Sequence, residues 1–133
     1  MTIVKFTIPG NPVPQSRPRV SRYGTYYPAK VKAYREYVAT IAKASMSGME
    51  PLQGALEMYC TFFFTPPKST PKKSLSMMYG TYHTKKPDAD NLVKCVQDSL
   101  NGICYVDDSQ IAVLHANKVY ADEARAEIVI VEM

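Results

Sequence analysis

The spacing of apolar residues changes several times along the chain, and this alternation limits the folds that the sequence can adopt. Residues 2 to 8 alternate apolar and polar side chains with the two-residue period of a strand. From 29 to about 46 the apolar positions recur with the period of a helix, and Ser47-Gly48 is a suitable stop. A second strand pattern runs from 55 to 64, where apolar residues on both sides predict burial on much of both faces.

The second half of the chain continues this alternation. We expect a basic, proline-broken loop from 65 to 73 that leads into a short helical turn near 75 to 78. A short strand is predicted from 79 to 84, followed by a helix from about 90 or 91 to 100. Two further strands, about 110 to 120 and 125 to 132, are expected to form a hairpin.

The elements together predict an α+β fold. The expected architecture is a small mixed β-sheet with two principal helices packed on it. A length of 133 residues, with 46% hydrophobic and 21% charged residues, suits a single domain that covers residues 1 to 133. No internal repeat or domain linker is present in the sequence.

Several classes of protein are disfavoured by what the sequence contains. No apolar run approaches the length of a membrane span, and the first residues alternate like a strand, so we expect an intracellular (cytoplasmic) protein without a membrane partner. Cys60, Cys95 and Cys104 are odd in number and widely spaced, which favours core thiols over a disulfide framework or a zinc site. Serine-hydrolase, P-loop and dinucleotide-binding motifs do not occur.

The segment from Lys85 to Lys94 contains two aspartates, Asp88 and Asp90, that are separated by one residue just after Pro87. Side chains two apart in an extended backbone share a face, so both carboxylates can point at one small volume. A hard divalent cation can hold them there against their mutual repulsion, because oxygen ligands suit Mg²⁺ or Mn²⁺. These residues predict a metal site of the kind that suits phosphodiester hydrolysis by a metal-activated water.

A second acidic pair, Asp107 and Asp108, follows the helix that is predicted to end at 100. Because this helix is short and the next segment can return the chain toward its start, we expect the two acidic pairs to meet. Lys94 lies four residues after Asp90, so on a helix it can offset the negative charge or contact a scissile phosphate. Simpler interpretations stay open: the first pair can cap the helix, the second can be a polar loop, and Lys94 can form only a helical ion pair.

Basic residues form clusters in this chain, whose formal net charge is +4. The first cluster lies in an arm, residues 11 to 28, where prolines are expected to prevent regular pairing and arginines alternate with tyrosines. Arginine can grip phosphate and tyrosine can stack on an exposed base, so the clusters predict a track for a DNA backbone. Each cluster alone also fits a solvated surface. The residues assigned to DNA binding are Arg17, Arg19, Arg22, Lys72, Lys73, Lys85 and Lys86.

Two segments of the sequence resemble the RusA family of Holliday-junction resolvases. They are residues 88 to 94, Asp-Ala-Asp-Asn-Leu-Val-Lys, and residues 105 to 111, Tyr-Val-Asp-Asp-Ser-Gln-Ile. The opening segment from 10 to 19 and the helix that contains Tyr34 and Arg35 are also similar to that family. The resemblance therefore covers nearly the whole chain, and the combination of acidic residues, Asn91 and Lys94 is far more specific than a lone Asp-x-Asp.

The resemblance implies a homodimeric endonuclease that binds four-way DNA junctions and makes paired nicks with Mg²⁺ or Mn²⁺. By motif position, Asp88, Asp90 and Asp108 are the expected metal ligands, and Lys94 is the expected lysine near the phosphate; these four form the expected catalytic set. Asp107 either joins the ligands or supports the site. A dimer presents the same chemistry twice, which suits a symmetric junction.

Two other functions are compatible with the same residues. One is an architectural protein that binds junctions and has lost cleavage. The other is a magnesium-dependent enzyme that acts on nucleotides or nucleotide sugars, since Asp-x-Asp also occurs in such enzymes. For the junction endonuclease, recombination, replication-fork repair and phage DNA processing are all suitable settings.

Overall fold

Four strands form one mixed β-sheet in the computed structural model, which describes all residues from 1 to 133. Their order across the sheet is β1 (Ile3–Pro9), β6 (Arg125–Glu132), β4 (Leu56–Phe64) and β5 (Ile111–Tyr120). β6 runs antiparallel to both of its neighbours, whereas β4 and β5 are parallel. The predicted α+β class with a small mixed sheet is confirmed.

Three helices and one 3₁₀ turn accompany the sheet. They are α1 (Ala29–Met46), α2 (Lys72–Met78), α3 (Ala89–Leu100) and the 3₁₀ turn Asp108–Gln110. α1 has the predicted bounds and is followed by Ser47, which adopts the left-handed conformation with φ of 51°. α1 and α3 contact each other, and they also contact β1 and β5, respectively.

The core lies between these two helices and one face of the sheet. It contains 24 buried hydrophobic residues in a single cluster, and alternate residues of β4 such as Met58 and Phe62 are fully covered there. The opposite face of β4 is more open, since Tyr59 is 39% exposed. The prediction that this strand is buried on much of both faces holds in full for one face only, since the residues of the other face are half-buried or, at Tyr59, exposed.

One predicted strand pairing and one predicted strand are not formed. β5 and β6 do not make a hairpin, because β4 lies between them and pairs with both. The connection from 121 to 124 crosses the end of β4, where Ala121 N–H donates to the carbonyl of Phe64 at 2.9 Å. Residues 79 to 84 form only an isolated bridge, Tyr82 to Val119, at the outer edge of β5.

The proline-rich arm is more regular than predicted. Residues 10 to 18 are irregular, but β2 (Arg19–Ser21) and β3 (Gly24–Tyr26) pair as a small antiparallel ribbon. No proline occurs between 18 and 28, and Gly24, with φ of 118°, provides the tight turn that the ribbon needs. Tyr23 stands at the tip and is 85% exposed.

The three cysteines are free and buried, as predicted. Burial raises the pKa of Cys60 to about 12 and, as the largest of several influences, that of Cys95 to about 11. These values keep the thiols protonated at neutral pH, which suits a role as small core side chains. No helix of the protein combines the length and the hydropathy that crossing a membrane requires.

Candidate active site

Asp88 stands immediately before the first residue of α3. Its backbone is extended, with φ of −71° and ψ of 142°, and its carbonyl accepts the Leu92 N–H at 3.2 Å. The carboxylate makes no capping hydrogen bond. The interpretation of Asp88 as a side-chain cap is therefore wrong, and its carboxylate is left for another use. One carboxylate oxygen of Asp90 accepts the Asn91 N–H at 3.0 Å, so this residue satisfies one free amide of the first turn.

The arm is fastened to the first half of α3 through Gln15. Its backbone N–H donates to the carbonyl of Asn91 at 2.8 Å, and the residue is only 8% exposed. Two clefts flank this contact. One, of about 450 Å³, is lined by Arg17, Asn91 and Lys94 among others. The other, of about 500 Å³, contains Asp88 together with Lys30 and Lys86. The start of α3 is thus framed by basic residues, as a surface for a polyanion requires.

Lys94 is directed toward the later part of α3. Its Nζ lies 4.0 Å from Oδ2 of Asp98, and 63% of the side chain is exposed. Gln15 Nε2 donates to the same Asp98 oxygen at 3.4 Å. The helical ion pair with Asp90, which was the simpler interpretation of Lys94, is not formed. Asp98 is the better partner because only 17% of its side chain is exposed, and water screens its charge less.

The second acidic pair belongs to a turn that stabilises itself. Asp107 Oδ2 accepts the Ser109 N–H at 3.0 Å, and Gln110 Oε1 accepts the Asp107 N–H at 2.9 Å, which together make a capping box. Hydrogen bonds from Ser109 hold the pKa of Asp107 below its ordinary value. Gln110 Nε2 also donates to the carbonyls of Leu52 and Gly54. The half-buried Asp108 takes no part in the capping box.

The two acidic segments lie at opposite ends of α3. Lys118, near the end of β5, donates to the carbonyls of Lys85 and Pro87, so this end of β5 lies beside the start of the helix. Asp108 instead precedes β5, and the strand from Ile111 to Lys118 covers about 23 Å at roughly 3.3 Å per residue. The prediction that the two acidic pairs meet within one chain is therefore wrong. No group of three or more His, Cys, Asp or Glu residues is placed to hold a metal ion.

The segment after α3 explains why the chain does not return. Cys104 N–H donates to the carbonyl of Leu100 at 3.1 Å, and the buried Tyr105 donates its hydroxyl to the carbonyl of Gln97 at 2.8 Å. Leu52 N–H in turn donates to the carbonyl of Cys104. These contacts keep the segment at the end of the helix, where it leads directly into the Asp108–Gln110 turn.

The residues assigned to DNA binding are all exposed, but they belong to different elements. Arg17 lies in the irregular part of the arm, and Arg19 and Arg22 belong to the ribbon, where the Arg22 guanidinium lies 5.0 Å from the centre of the Tyr23 ring. The other four are Lys72 and Lys73 at the start of α2, and Lys85 and Lys86 just before Asp88. Their role in DNA binding stays a prediction.

Three residues near the site were missed by sequence reasoning: Gln15, Asp98 and Lys118. The spacing of Asp98 four residues after Lys94 was a signal for their ion pair. Gln15 and Lys118 carry no such signal, because their partners are backbone and side-chain atoms far away in the sequence.

Comparisons with known proteins add information that the geometry alone does not give. The family described as "Endodeoxyribonuclease RusA" matches residues 9–131. A Bacillus subtilis (strain 168) protein with the name "Uncharacterized protein YqaN" is 40% identical over 142 residues, which cover 100% of this chain and 99% of that protein. The "Crossover junction endodeoxyribonuclease rusA" of Lactococcus phage r1t is 45% identical over 53 residues, or 39% of this chain and 40% of that protein.

Proposed function

Because the chain belongs to the RusA endodeoxyribonuclease family, we propose that it is a metal-dependent endonuclease that resolves four-way DNA junctions by paired nicks. The observation that carries this proposal is that the Asp88 carboxylate makes no capping hydrogen bond. Its carboxylate caps nothing, although it stands at a helix start where capping is favourable, and it shares a cleft with Lys30 and Lys86. An uncommitted carboxylate in basic surroundings suits a metal ion that meets a DNA phosphate.

Asp88, Asp90 and Asp108 are the proposed ligands of Mg²⁺, with Mn²⁺ as a substitute. Their carboxylate oxygens are the hard donors that these ions prefer. When bound, such an ion supplies an activated water and stabilises the charge that develops on the phosphate. A single chain provides only part of this donor set at each end of α3, so the donor set fits one metal only if a second copy of the chain completes it.

The free edge of β5 is the surface that we propose for this second copy. β5 is the last strand of the sheet, and its outer edge is bridged only at Val119, by Tyr82. Residues 112 to 117 are all exposed, including the apolar Val113 at 38% and Leu114 at 46%. An exposed, apolar strand edge is a ready template for pairing with another strand.

Antiparallel pairing of two β5 edges accounts for the separated carboxylates. The free part of the edge runs from 111 to 117, and its midpoint is Leu114. A two-fold axis at Leu114 pairs Ile111 with Asn117 of the partner subunit, and it carries Asp108 toward the partner's residue 120. That end of β5 is the one beside the start of α3. Each metal site then contains Asp88 and Asp90 of one chain and Asp108 of the partner subunit.

Lys94 and the arm have separate roles in this proposal. Lys94 reaches solvent between Arg17 and the cleft that contains Asp90, Leu114 and Ala116, so it can contact the phosphate that is cut. The arm and its ribbon present arginines and the exposed Tyr23 to the DNA, where guanidinium groups can bind phosphates and the ring can stack on an unpaired base.

A cleavage assay on a labelled four-way junction tests the activity. With Mg²⁺ we expect two symmetric nicks in strands of like polarity, and we expect much slower cleavage of a linear duplex of the same sequence. Binding without nicks across metals and junction sequences would mean an architectural protein. Turnover of a nucleotide or nucleotide sugar, without preference for branched DNA, would mean an enzyme of a different substrate class.

Mixing two inactive variants tests the arrangement of the site. Asp88→Asn and Asp108→Asn are each expected to be inactive alone. After the subunits are exchanged, a mixed dimer contains one site with both substitutions and one site with none, so single nicks should reappear. If each site belonged to one chain, both sites of the mixed dimer would be damaged and no cleavage would return.

A further inference from the structure

Lys118 is a lysine of the sheet whose charged end is committed to the backbone just before Asp88. Its Nζ donates to the carbonyl of Lys85 at 2.6 Å and to the carbonyl of Pro87 at 2.7 Å. The side chain is half-buried. Two short hydrogen bonds from one ammonium to two carbonyls of the same loop are stronger than ordinary neutral ones.

The position of Lys118 in β5 directs its side chain toward α3. Side chains two apart on a strand share a face, so Lys118 lies on the same side as Leu114 and Ala116, which line a cleft with α3. The backbone of β5 also holds the preceding segment, since Lys118 O accepts the His83 N–H at 2.9 Å. After His83, the contacts between β5 and this segment come from the Lys118 side chain, which donates to the carbonyls of Lys85 and Pro87.

Hydrogen bonds hold the backbone on both sides of the Asp88 side chain. On one side, Lys118 holds the carbonyl of Pro87. On the other, the Asp88 carbonyl accepts the Leu92 N–H as the helix begins. The Asp88 backbone is therefore fixed from both directions while its carboxylate makes no capping bond. Because the Asp88 carboxylate makes no capping hydrogen bond, its orientation depends on the backbone that carries it.

We propose that Lys118 is a positioning residue that holds the Lys85–Pro87 loop, and through it Asp88, in the orientation that receives the metal. This inference rests on the proposed function, because it takes Asp88 as a ligand. Lys118 itself touches neither metal nor DNA in this role. It acts only through the two carbonyls.

The first measurement is hydrogen–deuterium exchange of the metal-free protein, which needs no enzymatic activity. Lys118→Met keeps the length of the side chain and removes its donors. We expect exchange in residues 84 to 92 to become about 10- to 100-fold faster, because a hydrogen bond from a charged donor changes a local equilibrium by at least that order. Exchange in β1 should not change. Lys5→Met, an exposed lysine of β1, is the matched control and should leave both regions unchanged.

The second measurement is binding of Mn²⁺ followed by electron paramagnetic resonance. Lys118→Met should weaken Mn²⁺ binding by about tenfold, as removal of groups that orient metal ligands does. Lys118→Arg, which keeps a charged donor, should restore much of the affinity. If Lys118→Met does not fold, Lys118→Gln supplies the same comparison, since its shorter amide cannot span both carbonyls.

The outcomes separate this inference from the proposed function. Cleavage and Mn²⁺ binding by the wild type, with both unchanged in Lys118→Met, would overturn the role of Lys118 and leave the endonuclease standing. Unchanged exchange together with a salt dependence of junction binding reduced by about one phosphate contact would show that Lys118 binds DNA instead. A wild-type protein that neither binds Mn²⁺ nor cleaves junctions would overturn both.

Discussion

The two acidic segments of this protein are held in place by different means. The start of α3 depends on residues far away in the sequence: Lys118 binds the loop before Asp88, and Gln15 binds the carbonyl of Asn91. The 3₁₀ turn depends mainly on its own residues, since Asp107 and Gln110 complete a capping box within four positions. One carboxylate position is therefore built by the tertiary fold and the other by local structure.

Each acidic segment is held in place independently of the other, because none of the hydrogen bonds that fix one segment comes from the other. The 3₁₀ turn can adopt its shape as soon as residues 107 to 110 dock on the carbonyls of Leu52 and Gly54. The start of α3 acquires its shape only when β5 and the arm are in place. Substitutions that loosen the rest of the fold should therefore disturb the position of Asp88 more than that of Asp108.

The largest expected effect comes from the carboxylates of the two acidic segments, each of which is a proposed metal ligand. Asp88→Asn, Asp90→Asn and Asp108→Asn should each lower junction cleavage by more than about 100-fold, because loss of groups that only support ligands already costs about 10- to 100-fold. Binding of the junction should be retained, since clustered carboxylates repel DNA until a metal neutralises them. Single-turnover cleavage and a gel-shift titration measure the two effects.

An exposed aspartate outside both segments provides the control for these substitutions. Asp122→Asn, in the connection between β5 and β6, should leave cleavage unchanged. Full activity of Asp108→Asn would remove the 3₁₀ turn from the site and leave the start of α3 as the only metal-binding segment. Full activity of Asp88→Asn would contradict the proposed role of Asp88 as a metal ligand.

The next effect concerns the surface that would bring the two segments together. Leu114→Asp places a charge on each chain at the proposed two-fold axis, where like charges directly opposite are destabilising. We expect the dimer dissociation constant to rise by at least about tenfold, measured by analytical ultracentrifugation, and cleavage to fall in parallel at low protein concentration. Ile3→Asp, at an exposed apolar position of β1 on the opposite edge of the sheet, is the control. An unchanged dimer would exclude the β5 edge as the interface.

A smaller effect is expected from the arm, which supports the start of α3 and carries its own arginines. Arg17→Ala together with Arg19→Ala should reduce the slope of log affinity against log salt by about 1.8, or roughly 0.9 for each phosphate contact. The loss of affinity should be largest at low salt. Junction titrations at several salt concentrations measure the slope, and Lys5→Ala together with Lys43→Ala, two exposed lysines outside the arm, removes the same net charge as a control. An unchanged slope would reduce the arm to a structural loop.

Much of the fold could be predicted because its signals are local. The period of apolar residues predicted both ends of α1 correctly. It placed the start of α3 within one or two residues of the observed start. The pairing of strands could not be found in this way. Nothing in the period of β5 or β6 indicates that β4 lies between them, since strand order depends on which edges meet in the folded sheet.

The candidate site shows the same limit. Asp88, Asp90 and Lys94 could be selected because their spacing and residue types suit one chemistry, and a local motif carries that information. Their separation from Asp108 in the folded chain could not be predicted, because it depends on the direction of α3 relative to β5. The role of Lys118 was also hidden, since its partners are backbone carbonyls that no residue type specifies.

The smallest expected effect separates the two aspartates of the 3₁₀ turn. Asp107→Ala removes the acceptor of the capping box and should lower the thermal unfolding midpoint by a few degrees. Asp107→Ser keeps a capping oxygen and removes the carboxylate, so it should retain the midpoint at neutral pH and cleavage within a few-fold of wild type. If Asp107→Ser instead lost cleavage as Asp108→Asn should, Asp107 would be a metal ligand, and the turn would serve chemistry as well as structure.

The pH dependence of these variants follows from the hydrogen bonds of Asp107. Because the Ser109 contacts hold its pKa in the folded protein below the ordinary value of 3.8, the ionised carboxylate stabilises the fold at pH values above 3.8. That contribution is lost as the pH falls through the lower, folded-state pKa. The difference in unfolding midpoint between wild type and Asp107→Ala should therefore be full at pH 7 and decrease below pH 3.8. A difference that grew on acidification would mean that Asp107 is destabilised in the turn, and the capping box would then not be what holds this half of the site.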